Sequence, residues 1–161
     1  MMKNLFQILC GLFLVVSYSS CMHSEEDKVD VLIIGGGASG VTSGIQSARM
    51  GANTLILEES TWLGGMLTSA GVSAVDGNYR LPAGLWGEFK NRLSDYYGGL
   101  DSLKTGWVSN VLFEPSVGNK ILHEMVAAEN NLKVWKQACL EEVKRTGDEW
   151  VAKVKGEGQG V

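Results

Sequence analysis

The strongest constraint on the fold lies between Val31 and Glu58, where the sequence runs strand, glycine turn, helix, strand and acid in that order. An apolar, largely β-branched run from Val31 to Ile34 is followed directly by Gly35-Gly36-Gly37-Ala38-Ser39-Gly40. A second apolar run, Thr54-Leu55-Ile56-Leu57, ends at Glu58. Glycines spaced Gly-x-Gly-x-x-Gly are common by themselves. Between a buried strand and a helix, with an acid closing the next strand, they are typical of a dinucleotide-binding βαβ unit.

The three spaced glycines of this turn have mechanical roles in such a unit. Gly35 lets the chain turn tightly, Gly37 lets the backbone approach a pyrophosphate, and Gly40 lets the helix pack closely on the sheet. A helix that begins near Ala38 or Ser39 points unpaired backbone N–H groups and the positive end of its dipole at the phosphates. We therefore predict a phosphate site that needs no cationic side chain.

Glu58 is the predicted ribose ligand. It lies 23 residues after Gly35, close to the offset of roughly 20 residues expected for such an acid. Its carboxylate would accept a hydrogen bond from a ribose hydroxyl and would repel a 2′-phosphate. We include the adjacent Glu59 in the candidate nucleotide site.

The flanking segments support this placement. The run from Val29 to Ile34 is nearly continuously apolar, which predicts a strand covered on both faces. Val41, Ile45 and Ala48 recur at helical spacing, and Gly51 is a suitable helix stop.

Length and charge limit the possible functions. The chain has 161 residues, which suits one domain preceded by a tail, and an ordinary apolar fraction of 45%. The net charge of −4 gives no basic footprint, so we expect no nucleic-acid partner.

Residues 1–20 are interpreted as a secretory signal peptide. A short positive start precedes an apolar run from Leu5 to Val16, which is too short to span a bilayer comfortably, and small residues follow. An uncleaved N-terminal anchor is the alternative interpretation.

Cys21 refines this interpretation. A cysteine directly after the small residues of a signal peptide resembles the bacterial lipoprotein cleavage site, where the cysteine is lipidated. Residues 21–28 then form an acidic tether, similar to that of surface-exposed lipoproteins of some Gram-negative bacteria. The resemblance implies an exported protein with a lipid anchor, periplasmic or at the outer membrane or cell surface. Plain secretion is the alternative.

Cysteine use excludes an internal disulfide in the mature body. Cys10 lies in the predicted signal peptide and Cys21 would carry lipid, which leaves Cys139 alone. We predict that Cys139 is a small buried apolar residue in a strand. The sequence contains no histidine and cysteine cluster with metal-ligand spacing, so no metal is predicted, and no residue pattern identifies a catalytic group.

A second glycine pair, Gly64-Gly65, follows soon after the acid, and we include this pair and the adjacent Met66 in the candidate cofactor site. Its backbone N–H groups are unobstructed by side chains, so we expect a second contact with a phosphate or a ring.

From Asp30 to Gly71 the sequence resembles the N-terminal part of FAD-dependent oxidoreductases of the glutathione-reductase-like fold. The segment Leu63–Gly71 is especially similar to a bacterial FAD-dependent oxidoreductase family. Some of its members carry the label "xanthan lyase", which the chemistry of the motif does not support.

The resemblance implies an α/β, Rossmann-like, three-layer domain over residues 29–161, with a C-terminal β-hairpin. It implies FAD as cofactor, with its ADP half on Gly35, Gly37, Gly40 and Glu58, and with Gly64–Gly65 along the pyrophosphate. Family members normally continue beyond this length with further FAD-binding segments and a substrate domain, so we expect an incomplete, N-terminal portion of the domain. The flavin would transfer hydride with an unknown small-molecule substrate.

Two other functions stay open at the level of sequence. One is a lipid-anchored nucleotide-binding module without turnover. The other is an NAD-dependent enzyme, which Glu58 would fit equally well, although the Gly64–Gly65 pair favours FAD.

The remaining sequence predicts two helices and three strands. The helices are Leu85–Tyr97 and one that begins at Glu114-Pro115, and Asn110–Phe113 is expected to be extended. The strands are 132–135, 138–144 and 150–155, with a turn at 145–148. By analogy with the family, a backbone group around Ala138–Leu140 would touch the adenine. His123 lies one residue beyond the apolar stripe of its helix and is interpreted as structural or solvated.

Overall fold

The structure is a computed structural model that describes residues 27–160. The predicted signal peptide and Cys21 lie outside the described residues. The regular elements are β1 Val31–Ile34, α1 Ala38–Arg49, β2 Thr54–Glu58, α2 Gly84–Tyr97, α3 Pro115–Ala127, β3 Leu132–Thr146 and β4 Glu149–Gly160. Two short 3₁₀ turns, Gly65–Leu67 and Leu100–Leu103, lie in the connections.

The strands form one four-stranded sheet in the order β1-β2-β3-β4. β1 pairs parallel with β2, and β2 pairs parallel with β3, so that Ile33, Ile56 and Val134 lie side by side. Parallel neighbours need a crossover rather than a tight turn. α1 supplies the first crossover, and the long segment containing α2 and α3 supplies the second. β4 returns antiparallel to β3, which forms the expected C-terminal hairpin.

The main core lies between the helices and one face of the sheet. Alternation along β2 places Ile56 on this face, where it packs with the buried stripe of α1. Leu55 and Leu57 point to the opposite face and form a smaller cluster with Ala138. The buried residues of the main core are Val41, Ile45, Ala48, Ile56, Leu63, Phe89, Leu93, Leu103, Val111, Phe113, Val117, Ile121, Leu122, Met125, Val126, Leu132 and Val134.

The three helices are joined at one surface point by an ion-pair network. Arg49, the last residue of α1, binds Glu88 of α2 at 3.0 Å and Glu129, just after α3, at 2.7 Å. Because the carboxylates come from two separate segments, the guanidinium links all three helices. In the described part of the chain, no helix combines the length and apolarity needed to cross a bilayer.

The prediction that β1 is covered on both faces is wrong. Its residues are only partly buried, and Ile34 is 53% exposed. Within residues 27–160, β1 has a partner strand on one side only, so it is an edge strand. β2, which lies between two partners, is the strand that is buried along its length.

The prediction of two separate strands at 132–135 and 138–144 is also wrong. β3 is continuous through Gln137, where the register shifts against β4. Gln137 absorbs the irregularity with a φ of 54°, and its N–H donates to the Ser60 carbonyl at 3.3 Å. A bulge leaves the pairing of the strand on both sides intact, whereas a break would not.

The helix predictions agree with the structure to within one residue at the observed starts. α1 begins at Ala38 and is followed by Gly51, whose φ of 96° suits a helix stop. α2 starts one residue earlier than expected, at Gly84. The predicted extended segment Asn110–Phe113 forms only an isolated bridge, in which Leu112 pairs with Ala74.

Candidate functional site

The turn after β1 directs the start of α1 towards open space. Gly35 has a φ of 96°, which side chains disfavour, and its N–H donates to the Leu57 carbonyl at 2.8 Å. The first backbone N–H groups of α1, on Ala38, Ser39 and Gly40, precede the first intrahelical bond, in which Val41 donates to Gly37. No side chain of the described residues caps this helix start, and no acid lies in its first turn. The helix end is therefore suited to an anion.

The glycines of the turn are required for different reasons. A Cβ on Gly40 would lie 1.9 Å from the Gly35 carbonyl oxygen, so only glycine lets the helix approach the turn this closely. A Cβ on Gly37 would meet nothing within 4 Å, and its φ of −63° is open to any residue. Gly40 is therefore needed by the fold itself, whereas the bare surface at Gly37 is not.

Glu58 closes β2 beside this turn. One carboxylate oxygen accepts the Gly36 N–H at 2.6 Å and the other accepts the Ser60 N–H at 2.8 Å. These two bonds fix the carboxylate against the glycine turn. An ionised carboxylate has about four acceptor positions, so about two remain for a ligand.

The second glycine pair lies directly against the first glycine turn. Gly64 donates its N–H to the Gly36 carbonyl at 2.8 Å, and Gly37 and Gly64 form a parallel bridge. A Cβ on Gly65 would lie 3.2 Å from the Gly37 Cα, so the two backbones are in contact. Gly64 and Gly65 also have φ values of 105° and 53°. Two segments that are far apart in sequence thus form one surface of exposed backbone.

Polar groups that the sequence did not single out hold this second segment. The Leu63 N–H donates to Asn119 Oδ1 of α3 at 2.8 Å, and the Thr68 hydroxyl donates to the Leu63 carbonyl. Leu63 itself is fully buried. Asn119 follows Gly118 on the buried side of α3, but an isolated asparagine carries no motif, so sequence alone could not assign this contact.

A pocket of about 270 Å³ opens at the carboxyl ends of β1 and β2. It is lined by Ile34, Gly35, Leu57, Glu58, Glu59, Ala138 and Leu140. Gly35, Glu58 and Glu59 are predicted cofactor residues, and Ala138 and Leu140 belong to the segment predicted to touch the adenine. Ile34 and Leu57 are neighbours that the sequence analysis did not name as ligands. The carboxyl ends of parallel strands are where ligands bind in open α/β sheets. Met66 does not line this pocket; it is 69% exposed beside the glycine pair.

The prediction that Cys139 is buried is wrong, because its side chain is exposed. Ala138 points into the small apolar cluster, so alternation along β3 turns Cys139 outward. Its thiol donates to Glu59 Oε1 at 3.3 Å. This hydrogen bond is the main cause that raises the pKa of Cys139, with smaller contributions from desolvation and from the charges of Glu59 and Glu141.

His123 lies half-buried on α3 and is not among the residues that line the pocket of about 270 Å³. Desolvation lowers the pKa of its imidazole, and the charge of Lys136 lowers it further. The neutral form is therefore favoured near neutral pH.

Comparisons with known proteins identify the family and the fold of the chain. The model of the family described as "FAD dependent oxidoreductase" matches residues 30–160. No curated protein matches the chain significantly in sequence.

Solved structures show the same fold at low identity. AlpK has a TM-score of 0.55 and 16% identity over 85% of this chain. CabE, an aromatic hydroxylase from angucycline biosynthesis, has a TM-score of 0.55 and 14% identity over 84% of it. The anhydrotetracycline hydroxylase OxyS from Streptomyces rimosus has a TM-score of 0.52 and 14% identity over 83% of it. The matches span 30%, 29% and 29% of those proteins, and the fold is the α/β Rossmann type expected from the sequence.

The two turn glycines give a stability prediction. Gly40→Ala should lower the free energy of unfolding by about 3 kcal/mol, at the upper end of overpacking costs, because the methyl group meets backbone atoms that must move. Gly37→Ala should lower it by about 1 kcal/mol or less, because the methyl group meets no other atom and the only cost is that alanine is a poorer N-cap than glycine. Urea unfolding of both variants measures the difference, and equal losses would contradict the assigned packing.

Cys139 gives a prediction about pH. Its raised pKa keeps the thiol protonated at neutral pH, so alkylation by iodoacetamide should be slow and should increase as pH rises towards that pKa. Glu59→Gln removes the negative charge, which lowers the pKa and should speed alkylation severalfold at pH 8.

Peptide mass spectrometry would assign the modification to Cys139. Glu142→Gln is the control, since Glu142 binds Lys144 rather than the thiol. An unchanged rate in Glu59→Gln would show that the Cys139–Glu59 contact does not control the thiol.

Proposed function

Since the chain belongs to the FAD dependent oxidoreductase family, we propose that its glycine surface holds the ADP half of FAD in a flavin-dependent oxidoreductase. FAD is the cofactor of this family. The observation that carries the residue-level proposal is the backbone contact between Gly36–Gly37 and Gly64–Gly65, at the start of α1 and beside Glu58.

The residues present fit a dinucleotide in three respects. The start of α1 offers unpaired N–H groups, on Ala38, Ser39 and Gly40, to a pyrophosphate. The surface above Gly37 is open, so phosphate oxygens could approach its backbone. The two remaining acceptor positions of Glu58 match the two hydroxyls of a ribose.

The pocket beside these groups would accept the adenine end. Leu57 and Leu140 give it apolar walls, and Ala138 brings the β3 backbone to its edge. A flat aromatic ring suits such a partly apolar cleft, and main-chain groups can bind its edge. The adenine contact around Ala138–Leu140 stays a prediction.

The bound flavin would supply hydride transfer, and the protein would bind and orient it. Gly64 and Gly65 would extend the backbone surface from the pyrophosphate towards the rest of the cofactor, with Met66 next along the chain. Asn119 would act as a positioning residue, because it holds Leu63 and so fixes the start of this segment. The substrate is proposed to be a small molecule of unknown identity.

FAD binding by the purified chain tests this proposal. The chain loaded with FAD should be yellow, and mass spectrometry of the extracted nucleotide should identify FAD. Gly37→Ala should weaken FAD binding about tenfold or more, because its methyl group enters the space needed for close backbone approach. The protein should stay folded, since the loss of a glycine N-cap costs only about 1 kcal/mol or less. Glu58→Gln should also weaken binding by about tenfold, because it loses a charged acceptor.

Glu124→Gln is the control for Glu58→Gln, since Glu124 is exposed on α3 and paired weakly with Lys120 at 3.9 Å. Colourless protein that takes up no added FAD, in chain extended to the length of the relatives, would refute the proposal. Extraction of NAD in place of FAD would favour an NAD-dependent enzyme. A third outcome is FAD that binds but is not reduced by any substrate, in chain extended to the length of the relatives. This outcome would favour a binding module without turnover.

We also propose that Cys21 anchors the protein to a bacterial membrane by lipid, on the support of its position after the signal-like segment alone. Metabolic labelling with an alkyne fatty acid tests this. Label should appear on the wild-type chain and disappear in Cys21→Ser, while Cys139→Ser retains it. Label-free wild-type protein in the culture medium would indicate plain secretion.

A further inference from the structure

A second pocket, of about 410 Å³, lies between the middle of α2 and the loops before and after this helix. It shares no lining residue with the pocket at the glycine turn. Its volume falls in the usual range of small-molecule sites, roughly 300–1,000 Å³. Three of its lining side chains are cationic, Arg80, Lys90 and Lys104, and none is acidic. We refer to it as the basic pocket.

Lys90 is the unusual member of this group, because it is only 7% exposed. Its ammonium group donates to the carbonyls of Tyr79 and Leu81, each at 2.8 Å. Among residues 27–156, no carboxylate lies within ion-pair distance of it. Two carbonyls satisfy two of its three N–H donors, and the ring of Trp86 lies 5.9 Å from its ammonium nitrogen, but neither supplies a full counter-charge. A buried cation without an opposite charge is costly, so an anion in the adjoining pocket would stabilise it.

Arg80 and Lys104 add to the positive charge of the pocket. Arg80 uses only its Nε, which donates to the Tyr79 hydroxyl at 3.1 Å, so four guanidinium N–H groups stay available in the described structure. Lys104 pairs with Asp101 at 2.8 Å, but the Asp101 side chain is 96% exposed. An ion pair that exposed contributes little and leaves Lys104 able to bind another anion.

The remaining walls limit the kind of anion. Leu100, which is 50% exposed, and Pro82 give the pocket exposed apolar surface above the buried Leu103 and Val111. Asn91 and Asn110 bring amide groups to it. The chain as a whole carries a net charge of −4, so the positive charge of this pocket is local and does not extend into the basic surface that a long polyanion would need. Bare inorganic anions would leave the apolar walls unused.

We propose that the basic pocket binds a small organic carboxylate, with the carboxylate on Arg80 and Lys90 and the apolar body against the exposed side chain of Leu100. Guanidinium groups bind carboxylates well because their donors match the two oxygens. We infer this ligand class because the pocket lining contains three cationic side chains, no acidic side chain and an apolar wall. This site does not depend on FAD binding at the glycine turn.

Benzoate is a suitable probe, with benzamide as a neutral probe of the same size. Titration of each into the ¹⁵N-labelled 161-residue chain, without FAD and again with FAD, gives the binding constants from NMR chemical shifts. Benzoate should bind at least about tenfold more tightly than benzamide, because only the anion gains the charged hydrogen bonds. The shifts should centre on the side-chain amides of Asn91 and Asn110.

Two matched variants test the cations. Arg80→Gln should weaken benzoate binding roughly tenfold, while Arg145→Gln, an exposed arginine of the β3–β4 hairpin, should leave it unchanged. Lys90→Met should also weaken it. Because this variant loses two hydrogen bonds to carbonyls, its thermal unfolding is measured beside its affinity. If Lys90→Met fails to fold, the comparison of Arg80→Gln with Arg145→Gln decides the test.

Equal binding of benzoate and benzamide would overturn the proposal. So would equal effects of Arg80→Gln and Arg145→Gln, or shifts centred on Ala138 and Leu140 in the pocket at the glycine turn. Inorganic phosphate that displaces benzoate at equal concentration would indicate a simple anion site and refute the organic ligand class. Loss of FAD binding with benzoate binding intact would refute the proposed function and leave this site unaffected.

Discussion

The backbone hydrogen bond from Gly64 to Gly36 is the contact on which the candidate site depends. It joins the turn after β1 to the segment after β2, and it forms only where side chains are absent from both. Glu58 binds the other side of the same residue through the Gly36 N–H. A Cβ on Gly36 would lie within 3.0 Å of this carboxylate. The acid, the turn and the glycine pair therefore constrain one another.

Buried packing keeps this surface in place. Leu63 anchors the glycine pair in the main core, and Asn119 pairs the Leu63 N–H that would otherwise be left unsatisfied. A Cβ on Gly64 would meet Leu122 of α3 at 2.6 Å, so the segment also touches the helix directly. The second crossover of the fold thus has a functional consequence, because the helix before β3 supports the surface proposed to carry the cofactor.

Much of this arrangement could be predicted from the sequence, because its signals are local. Glycine spacing, apolar periodicity and the acid at the end of β2 each reflect the conformation of nearby residues, and the structure has the predicted elements there. Cys139 was predicted wrongly because its side-chain direction depends on the register of β3 after the irregularity at Gln137. β1 was predicted wrongly as a covered strand because an apolar run does not show whether other elements pack against both faces of the strand, and within residues 27–160 the helices pack on one face only.

The sequence by itself determined the βαβ unit, its glycine turn and the position of Glu58, since these follow from backbone sterics and from periods of two and 3.6 residues. Only the tertiary structure decided which distant groups meet. Gly64 reaches Gly36, Asn119 reaches Leu63, and Arg80 and Lys90 line one pocket. These contacts depend on how the crossovers pack, and packing is fixed by the summed burial of many apolar side chains rather than by any motif.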